Sequence, residues 1–123
     1  MKKVSTLFSL FVVSIFTYSQ TNVWNAKANF GGVQRYGVSG FSIGTKGYMG
    51  MGYDGSLNYN DLWEWDQGTN VWTQKANLPG ALRRTASSFS ILGKGYICCG
   101  YNGTHLKDLW RSEERRVGKE CRL

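Results

Sequence analysis

The chain contains one histidine, one proline and three cysteines among its 123 residues. The lone histidine, His105, cannot by itself hold a metal ion, because such sites draw on several ligands. No phosphate loop, nucleophile elbow or zinc-ligand spacing occurs either, so no enzyme chemistry and no cofactor is expected of the chain as given. One proline beside 16 glycines describes a chain with many turns, neither collagen-like nor proline-rich and disordered. The cysteines form no framework: Cys98 and Cys99 are adjacent, and Cys121 stands apart. Neighbours on a strand face opposite sides, so Cys98 and Cys99 are badly placed to pair with each other and are expected to fill small buried positions. The longest apolar run, Leu7 to Thr17, has eleven residues, too few to cross a membrane, which takes about 20. Clustered Lys and Arg are missing as well. Of the net charge of +7, each end of the chain carries +2, and the +3 of residues 20–110 is spread over loops. A surface that tracks phosphates needs clustered charge, so no nucleic-acid partner is expected.

The apolar run does fit an address. Lys2 and Lys3 precede it, and Thr17 and Ser19 supply small residues at the two positions a signal peptidase inspects. Residues 1–19 are therefore expected to be a signal peptide cut after Ser19, with the product secreted, periplasmic or on the cell surface.

What the chain has in abundance is repetition. "NVWNAKANF" from Asn22 returns as "NVWTQKANL" from Asn70, and aligning 22–55 with 70–103 makes 18 of 34 positions identical. Asp61-Leu62-Trp63 then recurs as Asp108-Leu109-Trp110. A period of this length belongs to repeat architectures. No window keeps a helical period, whereas short alternating segments bounded by turn residues predict strands. The first unit divides into strand A (Val38–Ile43), strand B (Tyr48–Gly52), strand C (Asp61–Asp66) and strand D (Asn70–Gln74). Four antiparallel strands per unit match a propeller blade. Alternation on strand C places Trp63 and Trp65 on one face, as expected for packing between blades.

The segments "TKGYMGMGYDG…YNDLWEWDQGTNVW" and "GKGYICCGYNG…LKDLW" resemble kelch repeats, in particular the propellers of secreted bacterial proteins related in fold to galactose oxidase. The resemblance covers 22–110. It departs from the family pattern at the paired glycines that end strand B, which stand here as Met51-Gly52 and Cys99-Gly100. The resemblance implies an all-β fold of four-stranded antiparallel kelch blades, incomplete in this chain. It also implies that Asn22–Ala26 is an orphan strand D, completing a blade begun elsewhere. An oxidase of the galactose oxidase kind would need copper held by two histidines and two tyrosines, a set that this chain lacks.

After Trp110 the first unit predicts a continuation like "EWDQGTNVW", but the chain reads "RSEERRVGKECRL", with eight charged residues in thirteen and no aromatic. Residues 111–123 are therefore expected to be a non-native tail, resembling translated adaptor sequence. The count is then one whole blade, part of another and a loose strand, while propellers need about four to eight blades. The missing blades of the same parent chain are the expected partner.

Function is expected on the longer connections, since binding groups concentrate on loops held by a rigid scaffold. The B–C and D–A loops lie at one end of the blades. They carry Arg35, Tyr36, Tyr53, Asp54, Asn58, Tyr59, Arg83, Arg84, Tyr101, Asn102 and His105. Arginines with tyrosines and amides suit a carbohydrate or protein ligand, through bidentate hydrogen bonds and ring stacking. Arg35 and Arg83 recur at one repeat position, however, which also fits a residue that ties down a loop carbonyl in each blade. Asp54-Gly55 and Asn102-Gly103 read as turns. A propeller enzyme, such as a sugar oxidase or mutarotase with its catalytic residues in other blades, is the alternative reading.

Overall fold

The computed structural model describes residues 22–113. The expected signal peptide and all but the first three residues of the expected tail lie outside the described residues. Seven strands follow in order: β1 (Ser39–Ile43), β2 (Lys46–Gly50), β3 (Leu62–Asp66), β4 (Val71–Lys75), β5 (Ser87–Ile91), β6 (Lys94–Cys98) and β7 (Leu109–Arg111). All pairing is antiparallel, in a four-stranded sheet β1-β2-β3-β4 and a three-stranded sheet β5-β6-β7. No helix occurs among the described residues. The architecture is all-β: one complete meander and part of a second, an incomplete propeller.

Strand B begins and ends two residues earlier than the sequence predicts. Ile43 pairs with Lys46, so the turn contains only Gly44 and Thr45, and β2 starts at once. It stops at Gly50 because Met51 adopts a φ of 56°, a left-handed conformation that no strand continues. The second unit repeats this, with Cys99 at 64°. Both positions where the chain departs from paired glycines are thus left-handed, so it is not only the second glycine whose freedom the turn uses.

Corresponding residues do corresponding work in the two sheets. Phe41 stacks on its cross-strand partner Tyr48 at 5.0 Å, and Phe89 on Tyr96 at 5.1 Å. The connection before each sheet lies over it. Phe30 meets Trp63 and Trp72 edge to face, and Leu78, its counterpart in the repeat, belongs to a buried cluster with Met51 and Ile97 against which Phe41, Ala86 and Trp110 pack. This cluster joins the sheets. A Cβ on Gly95 would lie 2.1 Å from a ring carbon of Phe41, so the ring of one sheet occupies the room that a missing side chain leaves in the other. The innermost strands are also tied directly, since the Ser39 hydroxyl donates to the Ala86 carbonyl at 2.8 Å and the Ser88 hydroxyl to the Gly40 carbonyl at 2.6 Å.

The outer surfaces remain open. Phe89, Ile91 and Leu109 are each more than two-fifths exposed. Asn22–Ala26 pairs with no strand among the described residues, and Trp24 is 97% exposed.

Candidate functional site

The B–C loop of the first sheet and the D–A loop leading into the second are joined by backbone hydrogen bonds. Gly52 N donates to Arg83 O at 2.9 Å, Arg83 N to Tyr59 O at 3.0 Å and Tyr59 N to Gly52 O at 2.9 Å. A second set links Arg84 and Tyr101, each donating its N–H to the other's carbonyl at 3.0 and 2.9 Å. Tyr36 and Tyr53 do the same at 3.0 and 2.9 Å. These bridges bring all eleven predicted residues to one end of the two sheets, but they give those residues different tasks.

Arg35 and Arg83 face inward. Arg83 is fully buried, and its guanidinium donates to both carboxylate oxygens of Asp108, at 2.6 and 2.7 Å, and to the Cys99 carbonyl at 2.8 Å. Arg35 repeats the arrangement with both oxygens of Asp61 and with the Met51 carbonyl at 3.1 Å. Each aspartate also accepts from the indole N–H two residues on, Trp63 or Trp110. The arginine's hydrogen bonds, outweighing burial, hold the Asp108 carboxyl far below the usual carboxylate range. Each arginine therefore clamps its own blade where strand B turns into the loop, and does not reach an exposed ligand surface. The sequence carried a signal for this partnership: Arg35 with Asp61 and Arg83 with Asp108 recur together at nearly the same separation.

Asp54, Tyr59 and Asn102 are engaged within their loops. Asp54 Oδ1 accepts from Ser56 N and Leu57 N at 2.8 and 2.7 Å, and Oδ2 from the Tyr59 hydroxyl at 2.8 Å. The backbone donors of Leu57 and Ser56 pull the Asp54 carboxyl below its ordinary value, and the bond to that carboxylate raises the Tyr59 phenol. The Tyr59 ring lies under the Arg35 guanidinium at 3.9 Å. Asn102 Oδ1 accepts from Thr104. Asn58 Oδ1 is buried with no hydrogen-bond partner among the described residues.

What remains open is a cluster centred on Arg84. Its guanidinium lies over Tyr53 of one sheet at 4.4 Å and over Tyr101 of the other at 5.1 Å. Among the described residues no carboxylate pairs with it. Tyr36, 61% exposed, meets Tyr53 edge to face at 5.6 Å, and His105 tilts against Tyr101 at 5.1 Å. An unpaired, half-buried guanidinium between aromatic rings presents planar donors beside apolar faces, the combination that recognises carboxylates and stacks on sugar rings. Arg84 breaks the repeat, for its counterpart in the first unit is Tyr36. That difference was visible in the sequence; its position between two tyrosines was not. Among the described residues no group of three or more His, Cys, Asp and Glu could hold a metal ion. A cleft of about 510 Å³ between the sheets, lined by Phe41, Tyr48, Glu64, Leu78, Ile97 and Trp110 among others, includes none of the eleven predicted residues.

No family model matches the sequence, and no curated protein matches it. Solved structures do match. One, titled "Structure of YjhT", is similar over 66% of this chain with a TM-score of 0.59 and 24% identity. The match covers 26% of that structure, so this chain spans about a quarter of its length. The likeness establishes the fold: the two sheets are an incomplete β-propeller.

Proposed function

We propose that the two sheets are blades of a secreted, kelch-type propeller that binds a carbohydrate or protein ligand on its loop face without catalysing a reaction. The observation that carries this reading is Arg84, held over Tyr53 and Tyr101 with no carboxylate partner among the described residues. Arg35 and Arg83, by contrast, are bound to Asp61 and Asp108 and to backbone carbonyls. The kelch assignment draws on the strand-ending glycines, the recurring Asp-Leu-Trp and the tryptophans of strand D. The test is a binding screen of the full chain against neutral oligosaccharides, carboxylate-bearing oligosaccharides and acidic peptides, followed by titration of Arg84→Ala. Binding should fall about tenfold or more, as expected for loss of a charge-assisted contact, while the melting curve is unchanged. A ligand whose affinity is indifferent to Arg84→Ala would remove the loop face from consideration.

A further inference from the structure

β6 stops at Cys98 because Cys99 takes the left-handed conformation. Had the strand continued, the two side chains would face opposite ways, as the sequence predicts. The left-handed turn instead swings Cys99 onto the side of Cys98, and the two Sγ atoms lie 2.7 Å apart. Both thiols are free and half-buried.

The repeat does not require this pair. The counterparts in the first sheet are Gly50 and Met51. Met51 makes the same turn but is fully buried in the cluster that joins the sheets. Gly50 has no room for any side chain, since a Cβ would lie 2.0 Å from the Asp61 carbonyl oxygen. A turn that serves packing in one blade thus presents a dithiol in the other.

We propose that Cys98 and Cys99 form a reversible redox site, closing to a vicinal disulfide by exchange with a low-molecular-weight disulfide. One cysteine thiolate attacks the small disulfide and releases one small thiol. The other then attacks the protein sulfur of the mixed disulfide, expels the second small thiol and forms the Cys98–Cys99 bond. Two protein thiols are oxidised, one small disulfide is reduced to two thiols, and the two thiol protons end on the products.

The bond belongs to the labile class. Adjacent Cα atoms across a trans peptide are about 3.8 Å apart, closer than the roughly 4.4–6.8 Å that an unstrained disulfide spans. A strained disulfide is more easily reduced and suits regulation better than permanent bracing. Its position gives closure a consequence. The Cys99 carbonyl accepts from Arg83, its N–H donates to the Asp108 carbonyl at 3.0 Å, and Gly100 leads directly into Tyr101. Closing the ring therefore fixes the hinge from which the Tyr101 loop departs. The hydrogen bond from Cys99 and burial push the Cys98 thiol up, so closure should quicken as pH rises.

The test uses the full chain carrying Cys121→Ser, reduced and then exposed to oxidised glutathione at about pH 8, with alkylation and peptide mass mapping at intervals. The peptide holding Cys98 and Cys99 should become lighter by two hydrogens and resist alkylation, in a monomer. Closure should be about tenfold faster than in concentrated urea, because the fold holds the reacting atoms together. Cys99→Gly suits the left-handed position and should leave Cys98 as a persistent glutathione adduct. Persistent adducts on the unsubstituted pair, interchain dimers, or equal rates with and without urea would each overturn the proposal.

Discussion

Arg83 and Asp108 meet through two parallel hydrogen bonds, and the arginine side chain is completely buried while the aspartate is 37% exposed. The same pairing joins Arg35 to Asp61, and each arginine also holds the carbonyl of the left-handed residue that ends strand B. The clamp joins three parts of a blade that are distant in sequence: the D–A connection, the end of strand B and the start of strand C. A buried charge of this kind is costly to leave unpaired, so removing Asp108, which strands the buried guanidinium, should cost more than removing Arg83, which leaves a partly solvated carboxylate.

Arg83→Met should still leave the Asp108 carboxylate and the Cys99 carbonyl without their donor, and lower stability by about 2–3 kcal/mol, less than the roughly 3–5 kcal/mol for breaking a fully buried pair because Asp108 is partly solvated. Arg84→Met, one residue on but with no ion pair, should change stability by about 0.5 kcal/mol or less, as for substitutions away from buried networks. Urea denaturation of the two variants beside the parent separates them. Equal losses would show that the clamp contributes no more than an arginine without an ion pair.

The two hairpins that join strands A and B differ in a testable way. In the first, Gly44 has a φ of 57° and Thr45 is not left-handed; in the second, both Leu92 and Gly93 are left-handed, at 49° and 73°. Two left-handed residues define the turn for which Asn-Gly is preferred, and leucine tolerates it poorly. Leu92 is also 96% exposed, so its side chain contributes no packing. Leu92→Asn should raise stability by about 0.5–1 kcal/mol through relief of backbone strain, read as a higher melting temperature. A lower melting temperature would mean that the leucine makes contacts this turn does not reveal.

These hairpins also show what the sequence made legible. Repetition at a fixed offset and alternating short segments predicted the four antiparallel strands of the first unit, because the side-chain period of a strand is written directly in the order of residues. The two-residue shift of strand B was not legible. It depends on turn length and on the left-handed state of Met51 and Cys99, and neither residue type announces a positive φ. For the same reason Cys98 and Cys99 were expected to face apart, whereas the left-handed Cys99 brings their sulfurs together. At the loop face, loop length singled out the connections that carry the candidate residues. Their division into inward clamps and an open cluster depends on which carboxylate lies beside which arginine, a tertiary fact.

Gly95 and Phe41 give a direct probe of how the two sheets are joined. Gly95→Ala places a methyl group where the Phe41 ring lies and should lower stability by about 1–3 kcal/mol, the usual cost of overpacking. Phe41→Leu alone should also destabilise, since it removes the ring that stacks on Tyr48. Because the two substitutions act on one contact, the double variant should lose less than the sum of the singles, with a coupling of roughly 1 kcal/mol. Strict additivity would mean that the sheets are not packed through this ring in solution.

Glu64 contributes to the pH dependence beside Asp108. It is 6% exposed and accepts from Lys46 and the Tyr48 hydroxyl at 2.8 Å each, with Lys75 at 3.2 Å. Burial pushes its carboxyl up, but the hydrogen bonds from Lys46, Tyr48 and Lys75 outweigh this and hold it below its ordinary 4.5. A carboxyl with a lower value in the folded than in the unfolded state contributes stability that is fully present above the unfolded value. That contribution is lost as pH falls through 4.5 toward the folded value, as protons bind the unfolded chain first. Glu64→Gln keeps the shape, removes the titration and should flatten this part of the stability curve, while lowering stability at neutral pH, where Lys75 loses its anion and Lys46 keeps only Asp66 at 3.4 Å. In the second sheet the residue opposite Tyr96 is Arg111, so no equivalent carboxylate stands there, and Arg111→Glu should introduce a second acid-sensitive step in the same pH range. Denaturant melts of the three chains between about pH 3 and 7 read both effects. A Glu64→Gln curve parallel to that of the parent would assign the acid sensitivity to Asp108 instead.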